Sequence, residues 1–159
     1  MMIRPDFLRD MRRGEEPEVA ALLAQAFGGK DEARLVEALR KSRAIAGEMV
    51  LPSKDGVVGY LALAAMTAPK GWLCLAPVAI RPDLQGLGHG RRMVGMITEW
   101  GRLSGNTLVV LGDPAFYTRC GFTPISDGFT SPYPIDHTLT AGPAKAAPSA
   151  LIYPKAFGG

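Results

Sequence analysis

Three glycines at alternate positions stand between a strand-like run and a helical run. They are Gly86, Gly88 and Gly90. Because glycine has no Cβ, a ligand can approach the backbone of such a turn closely. The free N–H groups of the turn and of the helix start can bind phosphate oxygens, and the helix dipole favours negative charge at the same place. The spacing therefore predicts a site for a phosphorylated ligand.

Two common phosphate-binding patterns do not fit this turn. A P-loop needs Gly-x4-Gly-Lys-Ser/Thr, and no Lys-Ser/Thr pair follows the glycines. A dinucleotide-binding turn needs Gly-x-Gly-x-x-Gly, and here Gly86 and Gly88 fit but the third glycine position falls on Arg91. The turn also follows a strand meander, whereas a dinucleotide-binding unit belongs to an alternating α/β series. The spacing excludes both patterns.

A third pattern fits. The run Gln85-Gly86-Leu87-Gly88-His89-Gly90 resembles the Arg/Gln-x-x-Gly-x-Gly/Ala signature of the GNAT superfamily of N-acetyltransferases. The preceding Val78-Ala79-Ile80-Arg81-Pro82-Asp83 looks like the fourth strand of that family and its exit, and Tyr117-Thr118-Arg119-Cys120-Gly121-Phe122 resembles its Tyr-x-x-x-Gly-Phe element. The resemblance covers about residues 2–125 and is greatest to the bacterial YhbS-like branch.

This resemblance implies acetyl-CoA as the acyl donor and no metal. The pyrophosphate would lie on the N–H groups of residues 86–91, and the pantetheine arm would pair with the strand edge at residues 78–80 like an added strand. The implied cofactor-binding residues are Val78, Ala79, Ile80, Gln85, Gly86, Leu87, Gly88, His89, Gly90 and Arg91. A solvated loop histidine is an equal alternative for His89.

Two arginines in the first helical turn point to an anionic ligand without reference to the family. Arg91 and Arg92 would each oppose the helix dipole by about 0.3–1 kcal/mol. An anion bound at the helix start would offset this penalty. The alternative is that both are solvated surface arginines.

Tyr117 is the predicted catalytic side chain, because the resemblance places it beside the leaving sulfur as a general acid. A free phenol has a pKa near 10 and a thiol one of about 8.5, so full proton transfer to the thiolate would be uphill by about 2 kcal/mol. We therefore expect Tyr117 to act chiefly as a hydrogen-bond donor that stabilises the thiolate. The alternative is a core tyrosine that packs the short helix.

Two further groups complete the predicted chemistry. The resemblance implies a backbone N–H near Ala79 as the donor to the developing oxyanion. Glu48 is a candidate base that would reach the amine through water, and the alternative is a plain exposed strand glutamate. Asp113 and Pro114 fit the cap and the first position of the short helix better than a catalytic role.

Apolar spacing predicts the elements that must position these residues. Helices are predicted at residues 16–27, 31–42, 88–103 and 114–120, and strands at 2–4, 44–51, 57–66, 72–80, 107–111, from 122, and near 150–153. A mostly antiparallel meander thus leads into one strand–helix–strand crossover with a parallel strand pair. The predicted fold class is α+β (mixed α/β) and GNAT-like. Its central twisted sheet is mostly antiparallel, with one parallel pair splayed at the cofactor site and helices on both faces.

Length and composition limit the number of domains and the possible partners of the chain. The 159 residues are predicted to form a single N-acetyltransferase domain, with a core at about 2–125 and Pro- and Gly-rich loops with a last short strand over 126–159. A net charge of +3 argues against nucleic acid, and no run reaches the ~20 apolar residues of a membrane span. Cys74 and Cys120 are predicted to be buried thiols in a cytoplasmic protein. Sheet edges could pair two copies into a homodimer.

Two functions stay open at this level. The first is transfer of an acetyl group from acetyl-CoA to a primary amine of a small molecule or protein, by direct attack in a ternary complex. The alternative is a non-catalytic acyl-CoA-binding or regulatory module. Tyr117 favours the enzyme, and the acceptor amine is not identified by any residue pattern.

Overall fold

A computed structural model describes residues 5–143 and 146–158 of the chain. The strands are β1 (Arg9–Asp10), β2 (Ile45–Ser53), β3 (Gly56–Ala65), β4 (Leu73–Ile80), β5 (Leu108–Leu111), β6 (Thr123–Pro124) and β7 (Thr138–Ala141). The α-helices are α1 (Glu16–Phe27), α2 (Asp31–Lys41), α3 (His89–Ser104) and α4 (Pro114–Arg119). The strand predicted at residues 2–4 lies outside the described residues.

In the described part of the chain, seven strands form one sheet in the order β1-β2-β3-β4-β5-β7-β6. Each neighbouring pair of these strands is antiparallel except β4 and β5, which are parallel. The β2–β3 hairpin closes with Ser53 opposite Gly56, so the turn is formed by residues 54 and 55. The predicted mixed sheet with a parallel pair is confirmed.

The parallel pair is joined only at the beginning of β4. Leu73 lies opposite Leu108 and Cys74 opposite Val109, and residues 75–80 have no partner on β5 within the described ranges. On its other side β4 still pairs with β3 as far as Ile80. The edge of β4 that faces β5 is therefore open at its carboxyl end, as the predicted splay requires.

Helices cover both faces of this sheet. Neighbouring residues of β4 divide between the two layers, because Ala79 joins the cluster under α1 and α2 whereas Ile80 joins the cluster under α3. This is the alternation expected along a strand. The buried helix side chains are Val19, Leu22, Leu23, Val36 and Leu39 on one face and Met93, Val94 and Ile97 on the other.

A third buried cluster, called the tail cluster here, joins the carboxyl-terminal part of the chain to the sheet. Its members are Met66, Trp72, Cys74, Val109, Phe129, Leu151 and Tyr153. Cys74 and Val109 alternate along their strands with Leu75 and Leu108, which belong to the α3 cluster. The tail cluster therefore covers the face opposite α3, at the point where β4 and β5 part.

The carboxyl-terminal part contains a strand that the sequence pattern does not predict. Residues 126–159 are expected to be loops with a last short strand near 150–153, but β7 lies inside the sheet between β5 and β6, and all its residues are buried. Residues 150–153 form only isolated bridges, of Ala150 with Thr130 and of Ile152 with Ala68. β7 is missed because its two threonines make it look like a loop. The Thr138 hydroxyl, however, donates to the Pro134 carbonyl at 3.0 Å, so it can be buried.

Candidate active site

The glycine turn leaves open space in front of α3. Gly86 and Gly88 have φ of +75° and +87°, in the left-handed region that favours glycine, and a Cβ built on either would meet no atom within 4 Å. Among the described residues no side chain caps α3, and its first turn contains no acidic residue. The start of α3 therefore has no side-chain cap, and an anion can accept from its first N–H groups.

Gln85 fixes this turn to the end of β4. Its side-chain amide donates a hydrogen bond to the Ile80 carbonyl at 2.9 Å. Leu87 is exposed, and His89, the first residue of α3, is half-buried. The predicted phosphate-binding residues thus share one turn, within which Gln85 has a holding role that the signature alone does not reveal.

Two exposed arginines follow immediately. Arg91 and Arg92 form no ion pair within the described ranges, although Arg81 nearby binds Asp83 at 2.6 Å. Unpaired cations in the first turn of a helix are unfavourable unless an anion binds there. The arrangement therefore fits a phosphate group, as the residue types suggest.

A cleft of about 240 Å³ opens beside the turn. It is lined by Val78, Ile80, Gln85, Gly90, Phe116 and Tyr117. Strand edge, glycine turn and tyrosine, which are far apart in the sequence, are thus brought together. Phe116 is an additional lining residue that the sequence motifs do not single out.

α4 presents Tyr117 to this cleft. Asp113 caps the helix by accepting a hydrogen bond from the Ala115 N–H at 3.0 Å, and Pro114 occupies the first position, as predicted. The Tyr117 ring packs edge-on against Phe116 and Phe122, with centroid distances of 5.0 and 5.6 Å. These contacts fix the ring. The Tyr117 side chain is half-buried and lines the cleft.

Burial, together with the nearby thiols of Cys120 and Cys74, raises the pKa of Tyr117 to about 12. Compared with a thiol pKa of about 8.5, full transfer of the phenolic proton would be uphill by about 5 kcal/mol. The side chain is therefore suited to donating a hydrogen bond and poorly suited to releasing its proton. This strengthens the argument that Tyr117 stabilises a thiolate by hydrogen bonding.

Gly112 makes room for the Tyr117 ring. A Cβ at this position would overlap the ring, with Cδ2 at 3.0 Å and Cε2 closer still. The residue between β5 and the α4 cap must therefore be glycine if Tyr117 is to keep this orientation. Sequence reasoning misses this role, although a glycine just before an Asp-Pro helix cap is a visible signal.

The register of the sheet corrects the prediction for Ala79. The Arg81 N–H donates to the Val58 carbonyl at 2.8 Å, and two residues earlier Ala79 lies opposite Tyr60. Hydrogen-bonded pairs alternate in an antiparallel ladder, so the Ala79 N–H points to β3. The N–H groups that face the splay are those of Val78 and Ile80. Ala79 is therefore not the oxyanion donor.

Glu48 is not an exposed glutamate, because its carboxylate is bonded within the protein. Its carboxylate accepts a hydrogen bond from the Tyr60 hydroxyl at 2.6 Å. It also forms an ion pair with Arg40 Nη2 at 2.7 Å. The Glu48 side chain is only 11% exposed. Arg40 and Tyr60 thus occupy this carboxylate, and Glu48 is not among the residues that line the cleft. Glu48 ties α2 to the sheet instead.

Both cysteines are buried and free, as predicted. Burial raises the pKa of Cys74 to about 12, and burial also raises that of Cys120. Neither thiol is therefore ionised near neutral pH, which excludes a cysteine nucleophile.

Over 5–143 and 146–158, no three His, Cys, Asp or Glu side chains are placed to hold a metal ion together. None of the helices in those ranges is long and apolar enough to span a membrane.

The sheet with its splayed parallel pair, the open helix start and the tyrosine at the cleft define the acetyltransferase class of α+β proteins. Residues 33–124 match the Acetyltransferase (GNAT) domain family, which is more than half of the chain. The chain belongs to this family.

Curated relatives agree with this assignment. The uncharacterized N-acetyltransferase YhbS of Escherichia coli K12 is 32% identical over 116 residues, which cover 68% of each chain. The uncharacterized N-acetyltransferase YjhQ of the same strain is 32% identical over 134 residues, which cover 77% of this chain and 74% of YjhQ.

Solved structures show the same fold. Escherichia coli YhbS in complex with CoA superposes with a TM-score of 0.88 at 24% identity, over 100% of this chain and 94% of that one. A Brucella melitensis GNAT family acetyltransferase in complex with acetyl-CoA superposes with a TM-score of 0.79 at 25% identity, over 95% and 97%.

Proposed function

We propose that this chain transfers an acetyl group from acetyl-CoA to a primary amine of a small molecule or protein, by direct attack in a ternary complex. The observation that carries the proposal is the cleft in which Tyr117 meets the open edge of β4 beside the glycine turn. The relatives solved with CoA and acetyl-CoA support the choice of donor.

The residues present fit this donor. The open N–H groups at the start of α3 and the unpaired Arg91 suit the pyrophosphate. The unpaired edge of β4 at Val78 and Ile80 suits the amide groups of a pantetheine arm, which can pair with it as a further strand would. The thioester then lies in the cleft next to Tyr117.

The reaction needs few protein groups. The amine nitrogen forms a bond to the acetyl carbon, the carbon–sulfur bond breaks, and the electron pair of that bond leaves with the sulfur. Tyr117 donates a hydrogen bond to the sulfur as its negative charge develops, and the proton lost by the nitrogen ends on the sulfur. The products are an N-acetylated amine and a free thiol.

The Val78 N–H is the proposed donor to the developing oxyanion. It faces the splay, whereas the Ile80 amide lies next to the carbonyl that Gln85 already occupies. A fixed backbone donor of this kind stabilises charge without having to reorganise. Val78 thus takes the role that the family resemblance implies for Ala79.

The amine must be neutral when it attacks, and the Glu48 carboxylate is already bonded to Tyr60 and Arg40. We therefore propose that the amine enters as the free base from solvent. Its own pKa then limits the rate at neutral pH.

The test is release of thiol from acetyl-CoA by the purified chain with a panel of lysine peptides, polyamines and amino sugars. Turnover with at least one amine, confirmed by mass spectrometry of the acetylated product, is the expected result. Tight CoA binding without thiol release for any amine would favour the non-catalytic binding module.

We also propose a location, the absence of a nucleic-acid partner and a test of the oligomeric state. Free, buried cysteines suit a reducing compartment, so we place the protein in the cytoplasm. The small net charge of +3 argues against a nucleic-acid partner. Sedimentation of the purified chain tests whether two copies form a homodimer.

A further inference from the structure

The helices cover the two faces of the sheet unevenly. On one face α1 packs on β3 and β4 and α2 packs on β2, whereas on the other face α3 packs chiefly on β4 and β7. Leu8, which precedes β1, and Met49 of β2 point to the α3 side, and both are only half-buried. A strip of apolar sheet beside α3 is therefore left open near the β1 edge.

This strip is the floor of a cavity of about 270 Å³, called the edge pocket here. Besides Leu8 and Met49, its apolar lining includes Leu63 of β3, Leu73 of β4, and Met96 and Trp100 of α3. The Met96 and Trp100 side chains are 37% and 41% exposed, so they form a wall that is open to solvent. Sites for drug-sized ligands usually measure ~300–1,000 Å³, so the edge pocket suits a smaller molecule.

Gly47 lies in the floor of the edge pocket. A Cβ built on it would meet only Leu63 Cδ1, at 4.0 Å, so packing does not require glycine here. The register shift between Ile45 and Gly47 does not require it either, because the φ of Gly47 is not in the left-handed region. Glycine weakens the interior of a strand and often marks a place where a ligand comes close to the backbone.

Asp10 gives the edge pocket a negative charge. Leu8 packs toward α3 and Met11 toward α1 and α2, so the alternation along the strand places Asp10 on the α3 side. Among the described lining residues Asp10 alone is charged. Its neighbour Arg9 pairs with Glu15 at 2.7 Å, but over residues 5–143 and 146–158 Asp10 takes part in no ion pair. Its charge is therefore available to a ligand.

A carboxylate, an indole ring and an apolar floor together suit an organic cation. The face of an indole attracts an ammonium group, and a carboxylate neutralises its charge. The apolar floor takes up the carbon skeleton, which gains from leaving water. We propose that the edge pocket binds an organic ammonium ion with a compact apolar body, its charged group beside Asp10 and Trp100.

The edge pocket is separate from the cleft at Tyr117. The two share none of their described lining residues. β4 runs from Leu73 at the edge pocket to Val78 at the cleft, a span of ~15 Å. An amine in the edge pocket is therefore out of reach of an acetyl group beside Tyr117. The inference adds a second site and does not depend on the proposed acetyl transfer.

The probe for the experiment is phenylbutyltrimethylammonium, which has a permanent charge and, without an N–H, cannot be acetylated. Calorimetry and the fluorescence of Trp100 measure its binding to the full chain, because Trp72, the other tryptophan, lies in the tail cluster. We expect binding whose affinity changes less than twofold when CoA is added in excess. Phenylbutyrate, which has the same apolar body and the opposite charge, should bind at least tenfold more weakly.

Two variants locate the bound probe. Asp10→Asn should weaken binding of the ammonium about tenfold and leave the affinity of uncharged phenylbutanol within twofold. The matched control is Asp127→Asn, at an exposed aspartate outside the edge pocket, and it should change neither affinity. Gly47→Val fills the floor and should weaken binding of every probe at least tenfold. Its thermal melt shows whether it folds, and if it does not, Asp10→Asn decides alone.

Three results would overturn the inference. The first is equal affinity for the ammonium and the carboxylate. The second is an affinity for the ammonium that Asp10→Asn leaves unchanged, which would mean that the probe binds elsewhere. The third is absence of binding at about 1 mM probe. If the chain is then a dimer that Trp100→Ser dissociates, a second copy covers this face. None of these measurements needs turnover, so their failure is distinguishable from failure of the proposed acetyl transfer.

Discussion

At Tyr117 the surroundings decide which of two roles the hydroxyl can take. A phenol with its pKa raised to about 12 holds its proton far too tightly to protonate a thiolate outright, yet it remains a good hydrogen-bond donor. Charge that develops in a partly closed cleft is stabilised more by such a donor than it would be in water. We therefore expect the role of Tyr117 to be electrostatic.

Tyr117→Phe tests this role. The variant keeps the ring contacts with Phe116 and Phe122 and loses only the hydroxyl, so kcat should fall about 10²-fold. Acetyl-CoA affinity, measured by calorimetry, should change less than twofold, because the glycine turn and the β4 edge remain. Turnover equal to that of the wild type would remove Tyr117 from the chemistry.

Glu48→Gln tests whether the buried ion pair is structural. The change leaves Arg40, whose side chain is 28% exposed, without its carboxylate partner, so the free energy of unfolding should fall by about 2–3 kcal/mol. Urea unfolding measures this loss. If Glu48 is no base, the pH profile of the remaining activity should keep its shape.

That profile should rise with pH toward the pKa of the acceptor amine itself, which is about 10.4 for a lysine side chain. A variant that melts like the wild type but has lost a pH-dependent limb of kcat/KM would restore Glu48 as the base. The two measurements separate folding from proton transfer.

At the scale of elements, the link between β5 and α4 sets where Tyr117 points. Gly112→Ala should push the ring out of the cleft and lower kcat about 10- to 100-fold, because small misplacements of a reacting group are costly. The matched control is Gly95→Ala in α3, where a Cβ would meet no atom within 4 Å. Full activity of Gly112→Ala would show that the ring adapts.

Local sequence determines some helices and strands more completely than others. α1 is predicted with its observed ends, and α3 begins and ends within one residue of its prediction, because apolar spacing and glycine stops are local signals. β7 is not predicted, since whether a threonine is buried depends on which strands lie beside it. That information resides in the assembled sheet.

The residues of the candidate site differ in the same respect: some can be predicted from local sequence and others cannot. The glycine turn and Tyr117 are visible as motifs, and the structure brings them to one cleft. The direction of the Ala79 N–H is not visible, because it depends on the register of β4 against β3 and reverses with a shift of one residue. The partners of Glu48 are likewise not predictable from local sequence, because Arg40 and Tyr60 come into contact with it only in the folded protein.

The contact between β1 and the start of α1 should make stability sensitive to acid. Glu15 accepts hydrogen bonds from Arg9 at 2.7 Å and from the Arg12 N–H at 2.6 Å. These bonds, that of Arg9 first, lower the pKa of Glu15 to about 2 from an ordinary 4.5. A lowered folded-state pKa means that the stabilisation is complete above pH 4.5 and is lost as the pH falls toward 2.

Glu15→Gln should therefore cost about 1 kcal/mol at pH 7, because solvent screens a partly exposed pair. The difference from the wild type should vanish near pH 2. Urea unfolding across this pH range measures both effects. Glu37→Gln, which removes an exposed pair with Lys41, is the control and should change little. A cost that does not vary with pH would contradict the assignment.

For the whole molecule, the carboxyl-terminal part completes the sheet and does not merely follow it. β7 pairs along all of β5, from Leu108 opposite Ala141 to Leu111 opposite Thr138. The tail cluster then covers the face of the splay away from α3. The cleft beside Tyr117 and the cover on the opposite face of the sheet are thus built by different parts of the chain, the first by residues 78–117 and the second largely by residues after 125.

A chain that ends after residue 125 should therefore fail to fold, even though the recognisable motifs all precede that point. It would lose the buried side chains of Phe129, Leu139, Leu151 and Tyr153, which together contribute about 8 kcal/mol, and it would expose the edge of β5. A loss of this size is comparable to the whole stability of a domain, which is about 5–15 kcal/mol.

The control is a chain that ends after residue 153, which keeps β7 and Tyr153 and loses the surface turn with Phe157. Soluble yield and thermal melting by circular dichroism compare the two. The longer chain should melt cooperatively at a reduced Tm, because Tyr133 and Tyr153 lose their contacts with Phe157. The shorter chain should be insoluble or melt without a transition. A cooperative melt of the shorter chain would mean that β1 to β5 form a stable sheet without β7, and would contradict this prediction.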